Sequence, residues 1–247
     1  MILDYHHLPI CAIMLLFFGA FFITTFGTRG GVRKIVSMIA SAASLACLIA
    51  LIKPVMIDGE IISYWLGNRS IAGGYAIGIA IEVDALSLFF GLLVGIAAFA
   101  ACLYSLDYIT HDAHQVQYYT LLLMTSGGVL GMVLTGDIFN MYIMVEILTI
   151  GAVGLTAYRS KSEGALEAAF KYLVVGSIGS AFILTAIVML YAEAHTLNLA
   201  QLSVLLPGML GSGRMKIAFA LLLAGFSTKA FIVPFHPLAA DAHGAAP

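Results

Sequence analysis

The chain has 247 residues, 62% hydrophobic and only 10% charged, with a mean hydropathy of +1.04. A soluble chain of this length would carry far more charge, so the composition specifies an integral membrane protein. The net charge of −2 leaves no basic surface for nucleic acid, and Cys11, Cys47 and Cys102 are too scattered for a disulfide framework or a CxxC pair.

Apolar runs of about 20 residues mark membrane spans. The first covers 8–27 with no Lys or Arg before it, so it reads as a retained helix rather than a cleavable signal. The second covers 35–57. Residues 60–84 alternate weakly and place Gly73-Gly74 at a turn, which predicts a short hairpin at the membrane face with Tyr64 and Trp65 as interface anchors. Further spans follow at 84–105, 118–136, 138–158 and 168–192. Asp84 and Asp137 open two of them, where an acidic side chain suits the positive helix end. The segment 198–206 is too short to span and is expected to lie along the surface. A seventh span, 216–235, contains Pro234, whose ring crowds the carbonyl of Ala230 and whose missing N–H breaks the ladder. The reading is an all-α membrane protein with about seven spans, the seventh broken at Pro234. Loop charges orient it weakly: Arg29, Arg33, Lys34, Arg159 and Lys161 against Lys53, Arg69, Arg214 and Lys216 slightly favour an outside amino terminus.

Charges inside the spans carry the chemistry. A charge near the bilayer centre costs about 2.5–3.5 kcal/mol even on lenient scales. Lys229 is the only charge in residues 217–235. Glu146 lies nine residues after Asp137, roughly 13 Å along a helix and close to mid-depth. Burial disfavours the ionised form of either group and an opposite charge favours it, so the two together can take up and release a proton. A static ion pair, or a lysine snorkelling to the interface, is the structural alternative; the cost at that depth favours function. Lys171 shares a helix face with Glu163 and Glu167, and a relay role stands beside that of an ordinary interfacial lysine. His236 and His243 titrate near neutral pH and suit proton transfer, while a plain loop role fits as well; their spacing matches no metal motif. His111, Asp112, His114 and His195 read as loop or structural residues. No phosphate loop, nucleophile motif or dinucleotide fingerprint is present, so no cofactor, metal or autonomous catalytic site is expected.

Four motifs in order resemble the antiporter-like membrane subunits shared by respiratory complex I, Mrp-type sodium/proton antiporters and membrane-bound energy-converting hydrogenases. They are VDALSLFFGLL, TGDIFNMYIMVEI with Glu146, EAAFKYLVVGSIGSAF with Lys171, and FSTKAFIVPFHPLAADAHGAAP with Lys229 and His236. The second is nearer to the Mrp D-type and hydrogenase-type versions. The resemblance implies three amino-terminal helices over 1–115 and, over 116–247, helices four to seven of the first of two inverted five-helix units. It implies proton translocation, or sodium/proton antiport, through a mid-membrane relay of Glu146, Lys229, Lys171 and His236, with Glu146 modulating Lys229. It also implies membrane-subunit partners in the cytoplasmic membrane that hold the redox chemistry, as in an NADH:quinone oxidoreductase or hydrogenase complex. The sequence stops where the family's eighth helix would begin, so a truncated, non-transporting structural subunit is the alternative reading. An intramembrane enzyme lacks a paired nucleophile and base.

Overall fold

A computed structural model describes residues 5–28, 30–68, 71–72, 75–76, 78–159 and 163–247. It is predominantly helical and divides into two compact units. Among the described residues, six helices are long and apolar enough to cross a membrane. Arg29, Arg69, Lys161 and the Gly73-Gly74 turn lie outside the described residues.

The first unit contains helices α1 (Leu8–Phe26), α2 (Gly30–Ala50), α3 (Ala85–Tyr108) and α4 (Gln115–Leu134). Helix α1 packs on α2 and α4, and α3 packs on the same two. Leu16, Ile23, Leu48, Leu88 and Leu123 form the inside, while Phe21, Ile39 and Leu93 face outward. Both faces are apolar because lipid and protein interior are alike to a side chain. Lipid offers no water to satisfy a hydroxyl, so a buried one gains by bonding inward. Ser44 donates to the Ala12 carbonyl at 2.8 Å, and Tyr119 donates to the Ser105 carbonyl at 2.9 Å. Asp84 caps α3 reciprocally: it accepts from the Ser87 N–H at 2.8 Å, and its own N–H bonds the Ser87 hydroxyl at 2.8 Å. That backbone bond holds the Asp84 carboxyl below its ordinary range. A π-helical turn at Lys53–Ile57 prolongs the second span.

The expected hairpin region contains two strand pairs. Strand β1 (Ile62–Trp65) pairs with β4 (Ala80–Val83), and β2 (Ile71–Ala72) pairs antiparallel with β3 (Tyr75–Ala76).

The second unit contains α5 (Ile138–Thr156), α6 (Glu163–Ala194), α7 (Leu199–Met209), α8 (Gly213–Lys229) and α9 (Pro237–Ala245). Helix α6 is its hub and touches the other four. Asp137 caps α5 through the Asn140 N–H at 2.8 Å, and burial pushes its carboxyl up. The start of α5 is tied to the start of α7: Ile138 N–H bonds the Leu197 carbonyl at 2.9 Å, and Leu199 N–H bonds the Gly136 carbonyl at 2.9 Å. Helices α6 and α8 approach closely at Gly225, where a Cβ would sit 2.5 Å from Ile183 Cγ1 and 2.7 Å from the Gly179 carbonyl oxygen. Small residues of this kind let membrane helices meet backbone to backbone.

The seventh span differs from expectation in where it breaks. Helix α8 ends at Lys229, five residues before Pro234. Phe231 takes the left-handed backbone conformation at φ 53°, Ile232 N–H bonds the Ser227 carbonyl at 2.9 Å, and Phe231 N–H bonds the Thr228 carbonyl at 3.3 Å. These two bonds make a Schellman closure, a place normally held by glycine. A residue with a Cβ there costs roughly 1–2 kcal/mol. The Phe231 ring lies between Tyr172 at 5.5 Å and His243 at 5.8 Å, contacts that offset the strain. Pro234 sits in the turn that follows, joined to Val233 by a cis bond, and α9 starts on Pro237.

Candidate functional site

Three helices of the second unit converge on Lys229. Helix α5 presents Glu146 and Thr149 three residues apart, hence on one face. Helix α8 ends on Lys229, one turn beyond the close approach at Gly225. Helix α6 supplies Gly176 and Ser180. A Cβ on Gly176 would meet Thr149 Cγ2 at 3.3 Å and Lys229 Nζ at 3.9 Å, so the missing side chain leaves room for the ammonium group.

Lys229 Nζ donates to Thr149 Oγ1 at 2.8 Å and to Glu146 Oε1 at 3.2 Å. Thr149 donates its own proton to the Val145 carbonyl at 2.7 Å, which turns its lone pairs toward the lysine. The Ser180 hydroxyl bonds the same Glu146 oxygen and also lies 3.0 Å from the Gly176 carbonyl oxygen. It carries one proton, so it can serve only one of these acceptors at a time. The Lys229 side chain is 10% exposed and that of Glu146 30%. The ammonium group also sits in the last turn of α8, where the helix carbonyls favour a cation. The arrangement is a desolvated ion pair with a hydroxyl ligand on each charge. Such a pair holds together while both partners are charged, and removing one leaves a buried charge uncompensated.

The other expected site residues lie elsewhere. Lys171 pairs with Glu167 at 2.6 Å and with Asp241 of α9 at 3.5 Å, and its side chain is 48% exposed. These residues line an open recess of about 600 Å³ that also includes Arg159. His236 is exposed at the start of α9, and Pro234 is exposed in the preceding turn. Among the described residues neither Lys171 nor His236 bonds Glu146 or Lys229. Sequence reasoning missed Thr149 and Ser180. The helical spacing from Glu146 could have flagged Thr149, and the small-residue stretch GSIGS around Ser180 marks a helix–helix seam. Nothing in the sequence pairs Lys171 with Asp241.

Comparison with known proteins adds a common background. Residues 135–247 match the family described as NADH:quinone oxidoreductase/Mrp antiporter, TM, and residues 70–119 match NADH-Ubiquinone oxidoreductase (complex I), chain 5 N-terminus. NADH-quinone oxidoreductase subunit N of Desulforudis audaxviator is 33% identical over 69% of this chain and 34% of that protein. F(420)H(2) dehydrogenase subunit N of Methanosarcina mazei is 26% identical over 87% of this chain and 42% of that protein. Among solved structures, a chain of the membrane-bound sulfane sulfur reductase, an archaeal respiratory membrane complex, superposes with a TM-score of 0.88 at 29% identity, over 97% of this chain and 48% of that one. The Mrp complex from a Dietzia species gives a TM-score of 0.82 at 23% identity over 100% of this chain and 44% of that one, a likeness of fold. The chain thus spans between about a third and a half of the length of these relatives.

Proposed function

The chain belongs to the antiporter-like membrane-subunit family shared by complex I, Mrp antiporters and membrane-bound hydrogenases, and on that premise we propose that it moves protons as part of a multisubunit complex in the cell membrane. The observation that carries the proposal is the Lys229–Glu146 pair at 3.2 Å with Thr149 and Ser180 as its hydroxyl ligands. While Glu146 is ionised it holds Lys229 as the ammonium ion. When Glu146 takes a proton, or its negative charge is screened, the desolvated ammonium loses its main partner and gives up a proton to an onward acceptor. Ser180 suits this exchange because its single proton can shift from the carboxylate to the Gly176 carbonyl. Lys171 with Glu167 and Asp241, and the exposed His236, serve in this scheme as sites through which protons reach or leave the buried pair. Sodium is the alternative coupling ion, and other membrane subunits supply the driving reaction. The division at 115/116 belongs to this proposal, since it follows the repeated transport unit rather than helix packing.

The test is proton-gradient formation by inverted membrane vesicles that contain the assembled complex. Lys229→Ala and Glu146→Gln should each abolish or strongly slow acidification while the complex still assembles. An unmutated rate with either variant would refute the proposal.

A further inference from the structure

A second cavity lies away from the charged pair, at the end of the second unit where α5 begins, α6 ends and α8 begins. It has a volume of about 320 Å³. Helix α7 crosses it and presents Leu202 and Leu206, and its C-cap Leu210 continues the same four-residue spacing. Helix α8 presents Met215, Phe219 and Leu222, a lining that runs roughly 10 Å inward from the helix start. Of the α7 stripe only Leu202 is buried, and Leu210 and Phe219 are 63% and 70% exposed. The apolar face of α7 is therefore only partly covered by protein. Water gains nothing in such a space, whereas lipid tails surround a membrane helix and match it chemically.

Charge stands next to this lining rather than in it. Arg214 and Lys216 flank the lining residue Met215 on the first turn of α8, and both are exposed. Glu193 Oε1 lies 3.5 Å from Arg214 Nε and accepts from the Ser212 hydroxyl at 2.7 Å. That carboxylate steadies the guanidinium by one edge, and among the described residues no partner holds its other nitrogens. Two basic side chains against one acidic one leave these three residues with a net charge of +1.

We infer that this cavity is a lipid site: one acyl chain of an anionic glycerophospholipid enters between α7 and α8, and its phosphate is held by Arg214 and Lys216. The bound lipid completes the apolar cover of α7 and braces it against α8. The occupant is a phospholipid rather than an isoprenoid quinone because two exposed cations stand next to a lining that is apolar apart from Ser203, which matches a phosphate followed by an acyl tail.

The experiment uses the full chain in vesicles with a tryptophan reporter in the lining. Trp65 is the only native tryptophan, so the reporter Phe219→Trp is placed in a Trp65→Phe background. Brominated phosphatidylglycerol and brominated phosphatidylcholine are titrated as quenchers. The expected result is half-quenching at a mole fraction of phosphatidylglycerol about fivefold lower than of phosphatidylcholine, with the preference lost in Arg214→Gln/Lys216→Gln. Leu222→Trp serves as a second reporter should Phe219→Trp fail to fold. Equal quenching by the two lipids would mean ordinary boundary lipid and overturn the inference. So would a preference that survives the double substitution, or displacement of the quencher by menaquinone at a lower mole fraction than unbrominated phosphatidylglycerol.

Discussion

Glu146→Gln and Lys229→Met, combined in a double-mutant cycle, test whether the buried pair is an energetic unit. At the 3.2 Å separation of Nζ and Oε1, two unit charges attract by roughly 5 kcal/mol at an effective dielectric of about 20. Desolvation opposes this, and the 30% exposure of Glu146 admits screening on one side. Glu146→Gln leaves Lys229 with Thr149 as its polar partner, and Lys229→Met leaves Glu146 with Ser180. Each single change strands a charge, so each should destabilise by about 3–5 kcal/mol, the cost of breaking a buried pair. The double change strands none and should cost less than the sum by about 1–3 kcal/mol. Reversible unfolding in mixed micelles, followed by far-ultraviolet circular dichroism, supplies the four free energies. Additivity within about 0.5 kcal/mol would refute the reasoning, because two side chains that share a hydrogen bond in a desolvated site cannot be independent.

Thr149→Val keeps the shape and removes the hydroxyl 2.8 Å from Lys229; it should slow gradient formation in vesicles while Thr149→Ser restores most of it, since a bond to a charged group is worth about 1.5–3 kcal/mol. Gly225→Ala should destabilise by about 1–3 kcal/mol in the same unfolding assay, because its Cβ would meet backbone at 2.7 Å and backbone cannot step aside as a flexible side chain can. Asp84→Ala should cost about 0.5–2 kcal/mol by removing the cap of α3. The Asp84 carboxyl is held low in the fold, so its contribution is complete above the unfolded carboxylate value and disappears as pH falls through the folded one; the acid limb of an unfolding-versus-pH profile should flatten in the variant. Asp137 has the opposite sign. Burial raises its carboxyl, so its ionisation weakens the fold as pH rises from the unfolded value through the folded one, and Asp137→Asn should remove that loss.

The sequence by itself determined the environment, the spans and the costly charges. Length and hydropathy suffice for that, because a bilayer sets the length of a helix and excludes water from its backbone. The acidic caps at Asp84 and Asp137 and the Glu167–Lys171 pair were likewise legible, being local and bound to helical spacing. The break near Lys229 was legible in kind but not in place. Proline marks where a helix cannot continue, whereas the stop is a left-handed Phe231 wedged between Tyr172 and His243, residues that meet it only in three dimensions. The contact geometry of the central charges and their hydroxyl partners were also decided by tertiary structure. Lys229 meets Glu146 across 83 residues and Thr149 across 80, and Ser180 meets Glu146 across 34. The family resemblance set Glu146 beside Lys229 in role, but only the approach of α8 to α6 at Gly225, and the gap left by Gly176, decide how the two meet and bring Thr149 and Ser180 to the pair.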